Sequence, residues 1–459
     1  MDDFAYKDGR LHCEQVLVDA IAEKAGTPVY IYSARTLRSH LRRLNEAFAA
    51  LKPLVCFSVK SCANLSVLKL LAEEGAGMDV VSGGELARAL RAGVPASKCV
   101  FAGVGKTDAE LEQALRAGIG LLNVESEAEF ENLSVIAKRL GIRCDCALRI
   151  NPDVDPKTHR YTSTGKKETK FGVDLERARA FFDRYGRDEF ARLRGLHLHI
   201  GSPIYTIEPY IESVKKALAL KDELERAGFT IDALDLGGGF GADYTTGQTP
   251  PVAEYAKAIV PMLVPHHARG LRMFLEPGRT IVGNAGILLT RVLYMKTSGD
   301  KRFAICDAGM QTLLRPSHYE AFHFIWPAAP AAEFIPESRT KIATMPGLSP
   351  CDVVGPICES GDFLAIDRAL PPLARGDLLA VFTAGAYGMT MASRYNSSPL
   401  PAEVLVHGDR FEVVRRRESY DDLMAHELPL GGGAAPRDGA ASTPGAGARG
   451  GASTSPSRR

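Results

Sequence analysis

Lys60 follows the apolar run Val55-Cys56-Phe57-Ser58-Val59, and a lysine there has two readings. It is a surface residue whose stem lies along apolar neighbours, or an amine that forms a Schiff base with an aldehyde cofactor. Four other runs carry chemistry: His197-Leu198-His199-Ile200-Gly201-Ser202, Gly237-Gly238-Gly239-Phe240-Gly241, Glu276-Pro277-Gly278-Arg279 and Cys358-Glu359-Ser360-Gly361-Asp362. The glycines either let backbone N–H groups approach a phosphate or make a plain tight turn. They are not a dinucleotide fingerprint, because they lack GxGxxG spacing and lie late in the chain. A carboxylate such as Glu276, set beside a pyridine nitrogen, keeps it protonated and makes the ring an electron sink. The bland alternative is a surface ion pair with Arg279, worth under about 1 kcal/mol. A lone cysteine is usually a small core hydrophobe, but Cys358 lies among Gly, Pro, Glu and Asp in an expected loop, which favours a chemical role.

The elements that must position these residues alternate. Short apolar runs at 55–59, 78–81, 99–102, 121–124, 146–150, 196–200, 234–236 and 273–275 are separated by amphipathic stretches such as 65–74, 85–92, 109–117 and 207–227. Several stretches stop at a glycine (Gly75, Gly93, Gly118, Gly141), the usual helix C-terminal signal. Strand–helix alternation predicts a parallel sheet covered by helices, and eight units match a closed (β/α)8 barrel of the TIM type better than an open sheet. The reactive residues then share the rim at the strands' C-terminal ends. His197 and His199 fall on one face of strand six, either as a metal pair or as one ring lying on a flat cofactor with its neighbour in the core. Strand eight offers Glu276 as a further ligand, but strands five and seven offer no histidine, so the cofactor reading is preferred and no metal is expected.

After Gly283 the text changes to β-rich runs at 287–294, 302–306, 378–382, 402–406 and 411–414, separated by Gly and Pro, which predicts an antiparallel β domain. The boundaries expected are a segment 1–28 joined to the β domain, a barrel over 29–283, the β domain over 284–428, and a disordered Gly/Ala/Ser/Pro/Arg tail over 431–459. The 459 residues hold 56 Lys and Arg against 55 Asp and Glu, a balance that argues against a general nucleic-acid binder. No apolar run is long enough to cross a bilayer, and the acidic start lacks the pattern of a secretory signal. Nine cysteines without a CxxC pair fit a reducing cytoplasm.

Read together, Lys60 with its preceding run, HIGS at 199–202, GGGFG at 237–241, EPGR at 276–279, DAGM at 307–310, CESGD at 358–362 and AGAYG at 384–388 resemble the fold-type III pyridoxal-phosphate-dependent amino acid decarboxylases, from about Pro28 to His426. The resemblance implies an alanine racemase-like pairing of barrel and β domain, with pyridoxal 5'-phosphate as cofactor. Lys60 would hold it, His199 would stack on its ring and Glu276 would pair with the ring nitrogen. Ser202, Gly237, Gly238, Gly239, the Pro277-Gly278-Arg279 turn and Tyr387 would hold the phosphate or line its site. Arg279, Arg315 and Tyr319, with Tyr387 beside them, would bind a carboxylate at the far end of the substrate, and Glu359 its far amino group. Cys358 would donate a proton. In this family the Cys-Glu pair comes from the partner chain, which implies a homodimer with shared sites and a small amino acid substrate. The Cys358-Glu359-Ser360 text is similar to the branch that converts meso-diaminopimelate to L-lysine; the ornithine branch usually has Asp after this Cys. The alternatives are a sister decarboxylase acting on carboxynorspermidine, ornithine or arginine, a racemase on the same fold, and a non-catalytic binding protein.

Overall fold

The computed structural model describes residues 2–155, 170–428 and 430. The expected tail at 431–459 lies outside these residues. Eight parallel strands form a closed barrel: Leu54–Ser58, Gly77–Val80, Cys99–Phe101, Leu121–Val124, Cys144–Asn151, Ala191–His197, Ala233–Asp235 and Arg272–Leu275. Closure comes from the last strand, where Phe274 pairs with Leu54 and Leu275 with Val55. Each expected apolar run is a strand. The largest shift is at strand six, which starts at Ala191 and ends at His197, so that His199 stands beyond its end. Lys60 likewise falls after strand one, in a single 3-10 turn over Val59–Ser61.

The helices form for local reasons. Ser82, Thr107, Ser126 and Asp174 each accept a backbone N–H of the first helical turn, satisfying donors that would otherwise lack a partner, at about 1 kcal/mol per cap. Gly118 and Gly141 end their helices at φ +76 and +67, a left-handed conformation that a Cβ disfavours. Asn64 caps the helix Leu65–Glu73 through Ser66 N–H and donates to Glu403 Oε2 at 3.0 Å, tying the barrel to the second sheet.

That second sheet runs in the order Phe363–Leu370, Ser349–Val354, Lys301–Cys306, Gly286–Ser298, Val29–Ser33, Ala402–His407, Arg410–Arg415. It is mixed, where the expectation was antiparallel. Lys301–Cys306 pairs in parallel with Ser349–Val354, and Val29–Ser33 with Ala402–His407. Parallel pairing needs a long excursion between partners, and periodicity within a strand does not report its partner's direction. The strand Val29–Ser33, inside the range expected for the barrel, belongs to this sheet. Before it, Phe4–Lys7, Arg10–Cys13 and Val16–Leu17 form a small antiparallel sheet of their own. This sheet is tied to the strand Ile325–Pro327 by Tyr6 hydroxyl to Pro327 O, 2.7 Å.

Candidate active site

The barrel interior is layered by the two-residue period of its strands. Cys56, Val100, Leu121, Ala147, Ala233 and Phe274 form a buried apolar floor. Two residues further along the strands come Ser58, Asn123, Arg149, Asp235 and Glu276. Asp79 and His197 join them, two residues after Gly77 and Gly195, and all seven are buried. Bare backbone at Gly77 and Gly195 is required by crowding: a Cβ would stand 2.1 Å from Lys98 O at the first and 3.0 Å from the Ala233 Cβ at the second.

The polar layer is held by three groups of hydrogen bonds. Ser58 Oγ and Lys60 Nζ both donate to Asp79 Oδ2, at 2.6 and 2.8 Å. The Asn123 amide nitrogen is shared between Asp235 Oδ2 at 3.2 Å and Glu276 Oε1 at 3.1 Å. His197 Nε2 lies 3.2 Å from Glu276 Oε2. Arg149 Nη1 meets both Glu125 oxygens at 3.0 Å. Burial, helped by the Asp79 charge, pushes the Glu276 carboxyl up to about 8. Burial and Glu276 push Asp235 up as well. Two carboxyl groups sharing one amide so far from water retain a proton between them. Around Lys60, burial opposes charge, but Asp79 and Glu276 outweigh it and the amine is held above its ordinary value. Burial drives His197 down to about 4, and burial with the Arg149 and Lys60 charges drives His199 well below its ordinary value, so both rings are neutral. Gly238 N–H donates to His199 Nδ1 at 3.2 Å, which assigns the ring proton to Nε2. His197, Asp235 and Glu276 can bring three ligand atoms within 4.8 Å of one another. Strand seven thus contributes Asp235 to this group, and His199 is not in it.

The glycines of the loop are required by its close packing against neighbouring backbone. A Cβ at Gly237 would stand 2.2 Å from Leu198 O, at Gly238 2.2 Å from Glu276 O, and at Gly239 2.5 Å from Gly201 O. Pro277 O accepts from Ser58 N at 3.1 Å, holding strand eight against strand one. Gly278 faces Ser61, whose Oγ would be 2.9 Å from a Cβ. Arg279 Nε donates to Ser202 Oγ at 3.3 Å, and its guanidinium lies 4.9 Å from the centre of the Tyr387 ring. Tyr387 N–H donates to Ser61 O at 2.8 Å and its ring lines a groove of about 620 Å³ beside Lys60, between barrel and second sheet.

Arg279 and Arg315 converge from the two halves of the molecule. Arg279 Nη1 donates to the Tyr244 hydroxyl at 2.6 Å and Arg315 Nη2 to the same oxygen at 3.0 Å. Both arginines are buried, and among the described residues neither has a carboxylate within ion-pair distance. With Tyr319 they line a cavity of about 180 Å³.

Cys358 and Glu359 line neither cavity. Cys358 is exposed, and its N–H donates to Asn396 Oδ1 at 2.9 Å. Their loop is built by Asp362, whose carboxylate accepts Met310 N–H and Ile357 N–H, each at 2.6 Å. DAGM and CESGD are therefore two sides of one turn. Within one chain the structure brings together Lys60, His199, Ser202, Gly237–Gly239, Glu276–Arg279, Tyr387, Arg315 and Tyr319, and leaves Cys358 and Glu359 outside. Asp79, Asn123, Arg149, Asp235, Tyr244 and His323 were not picked out from sequence. The first four carried a signal, being polar residues inside apolar strand text; Tyr244 and His323 carried none.

Comparison with known proteins agrees with this architecture. A family model described as pyridoxal-dependent decarboxylase, pyridoxal binding domain, matches residues 34–283. The chain is 45% identical over 430 residues to a diaminopimelate decarboxylase of Pseudomonas aeruginosa, covering 94% of this chain and 100% of that one. Among solved structures it is similar to diaminopimelate decarboxylase from Helicobacter pylori complexed with L-lysine, with TM-score 0.82, 40% identity, and 89% and 98% of the two chains covered. It is also similar to the M. jannaschii enzyme in co-complex with L-lysine, with TM-score 0.86, 36% identity, and 93% and 98% covered. With a matching family model over more than half its length, and relatives matched over nearly all of it, the chain belongs to the pyridoxal-dependent decarboxylases.

Proposed function

We propose that this chain is a cytoplasmic, homodimeric carboxy-lyase that uses pyridoxal phosphate to remove carbon dioxide from the D-centre of meso-2,6-diaminopimelate, yielding L-lysine. The observation that carries the substrate is the Arg279–Arg315 pair: two buried guanidiniums without a carboxylate partner among the described residues, opening on a cavity. A guanidinium binds a carboxylate through a planar fork. A substrate ending only in an ammonium, such as ornithine, would leave both forks unmatched, at about 1.5–3 kcal/mol for each hydrogen bond to a charged group.

The residues present fit the cofactor. The Lys60 amine, the neutral His199 ring and the buried Glu276 carboxyl stand at one end of the barrel beside the glycine loop, an amine, a flat ring and an acid such as an aldehyde-bearing pyridine requires. When bound, pyridoxal phosphate supplies a sink for the electron pair left as carbon dioxide departs. Lys60 would hold it, His199 would stack on its ring, and Glu276, backed by Asn123 and His197, would pair with its ring nitrogen. Ser202, the loop Gly237–Gly239, the Pro277-Gly278-Arg279 turn and Tyr387 would line its phosphate site, with the N–H groups of Gly237 and Gly238 already given to Asp235 Oδ1 and His199 Nδ1. Arg279, Arg315 and Tyr319 hold the remote carboxylate beside Tyr387. The exposed Cys358 loop reaches a site in the other protomer, where the partner subunit's Glu359 binds the remote ammonium. The partner subunit's Cys358 gives its thiol proton to the carbon that lost carbon dioxide and recovers one from solvent. All nine cysteines are free thiols, which suits a reducing compartment.

The test is a spectrum and a substrate panel. Purified protein should show visible absorbance from bound pyridoxal phosphate and release carbon dioxide from meso-diaminopimelate far faster than from ornithine, arginine or carboxynorspermidine. Release from ornithine alone would reject the arginine argument, and a colourless protein in excess cofactor would reject the reading altogether.

A further inference from the structure

Tyr244 lies three residues past the glycine loop and is buried. Its hydroxyl oxygen receives hydrogen bonds from two guanidiniums at once, 2.6 Å from Arg279 and 3.0 Å from Arg315. Arg315 is aimed at this point from behind. Its Nε donates to His323 Nε2 at 3.3 Å, and His323 can accept there because its Nδ1 proton goes to Phe382 O at 2.9 Å. The Tyr244 ring stands edge-on to His323, centroids 5.3 Å apart, and both guanidiniums pack within 6.0 Å of its centre. Two like charges are thus brought to one oxygen with no carboxylate between them. The adjoining cavity is lined by Arg279, Arg315 and Lys341 as its charged residues, with no acid among the described lining. The neighbouring Asp243 carboxylate is turned away, accepting Thr249 N–H at 2.7 Å and Gly247 N–H at 3.2 Å. A phenol oxygen that accepts twice retains only its own proton to give.

We infer that Tyr244 is a specificity-determining residue: its oxygen holds the two guanidiniums together in the place a carboxylate oxygen will share, and its O–H is a third donor to the remote carboxylate of the substrate. This rests on the reading of the site as a diaminopimelate decarboxylase and deepens it. Burial resists ionisation of the phenol, but Arg279 and Arg315 outweigh it and hold Tyr244 below the ordinary tyrosine range, as an oxygen standing in for an anion requires.

Tyr244→Phe keeps the ring and removes the oxygen. In the holoenzyme, KM for meso-diaminopimelate should rise on the order of ten- to a hundredfold, the effect of losing one or two hydrogen bonds to charged groups. With kcat changed less than about threefold, this is a loss of binding made equally in ground and transition states. Pimelate, the same seven-carbon dicarboxylate without its amines, should bind the wild type measurably by calorimetry and the variant by a similar factor more weakly. Wild-type KM and pimelate affinity in the variant, or a fall in kcat at constant KM, would overturn the inference. If the variant does not fold, the wild type decides. Alkaline titration should show a tyrosinate absorbance below the ordinary range, moved upward by pimelate as the guanidiniums turn to the ligand, and a titration indifferent to pimelate refutes the assignment. A wild type that does not decarboxylate diaminopimelate sinks the substrate reading, while the pimelate and tyrosinate measurements still judge Tyr244 on their own.

Discussion

Asp79→Asn isolates the charge that governs the Lys60 amine. Asparagine keeps the shape, can still accept from Ser58 Oγ through its amide oxygen, and removes one negative charge. At the 2.8 Å separation of Lys60 Nζ and Asp79 Oδ2, unit charges attract by about 6 kcal/mol at an effective dielectric constant of about 20, and by about 1.5 kcal/mol in bulk water. The Lys60 side chain is 37% exposed, so solvent screening places the working figure in the lower half of that range, about 2–3 kcal/mol. At about 1.4 kcal/mol per unit this lowers the amine's pKa by about two units. Only the neutral amine is nucleophilic, so at neutral pH the reactive fraction, and with it the rate of covalent capture of pyridoxal phosphate, should rise on the order of a hundredfold. Stopped-flow mixing of cofactor-free protein with pyridoxal phosphate, followed by visible absorbance across a pH series, reads this directly. The variant should be faster at neutral pH and reach its plateau at lower pH. Superimposable rate–pH curves for variant and wild type would show that Asp79 does not set the charge on Lys60. The same variant should also lower the Glu276 titration from its value of about 8, because Asp79 is the largest charge acting on that carboxyl.

Three further outcomes follow from the same geometry. If the Cys358 loop serves the site of the other protomer, Lys60→Ala and Cys358→Ala proteins, each nearly inactive, should recover roughly a quarter of wild-type turnover when mixed and exchanged, since half the dimers carry one intact site of two; no recovery places Cys358 in its own chain's site or outside the chemistry. Glu276 ionises near 4.5 when unfolded and near 8 when folded. Between those values the folded chain binds more protons than the unfolded one, so stability falls as pH rises from 4.5 to about 8. Glu276→Gln should flatten this fall in the unfolding midpoint of the cofactor-free protein without abolishing it, because Asp235 is raised in the same direction; an unchanged slope would contradict the assignment. Glu125→Gln removes the negative charge whose two oxygens both accept from the buried Arg149 Nη1 and should cost about 3–5 kcal/mol in chemical denaturation, against a small effect for the exposed Glu131→Gln.

Much of this was open to a reader of residues alone, for reasons that are local. Strand text, helical spacing and stop signals such as Gly118 and Gly141 act within a few residues, so all eight barrel strands could be placed before their closure was seen. Lys60, Ser202, Gly237–Gly239 and Glu276–Arg279 could be placed together for a related reason: the loops after parallel strands gather at one rim, and these residues lie in those loops. The three strands Ile325–Pro327, Ser349–Val354 and Phe363–Leu370 went unnamed, because Pro and polar residues interrupt their alternation.

What the residue order could not convey is who meets whom. Asn123 reaches Asp235 across 112 residues and Glu276 across 153, and only closure of the barrel puts strands one, two, four, five, six, seven and eight on one polar layer. The shared proton, the raised Glu276 and the neutral histidines are consequences of that burial, since charge is destabilised by what surrounds it in space and not by its neighbours along the chain. The direction of the Val29–Ser33 pairing and the convergence of Arg279 and Arg315 on Tyr244 belong to the same class. Backbone periodicity is a property of a segment, whereas a binding site is a property of segments brought together from distant parts of the chain.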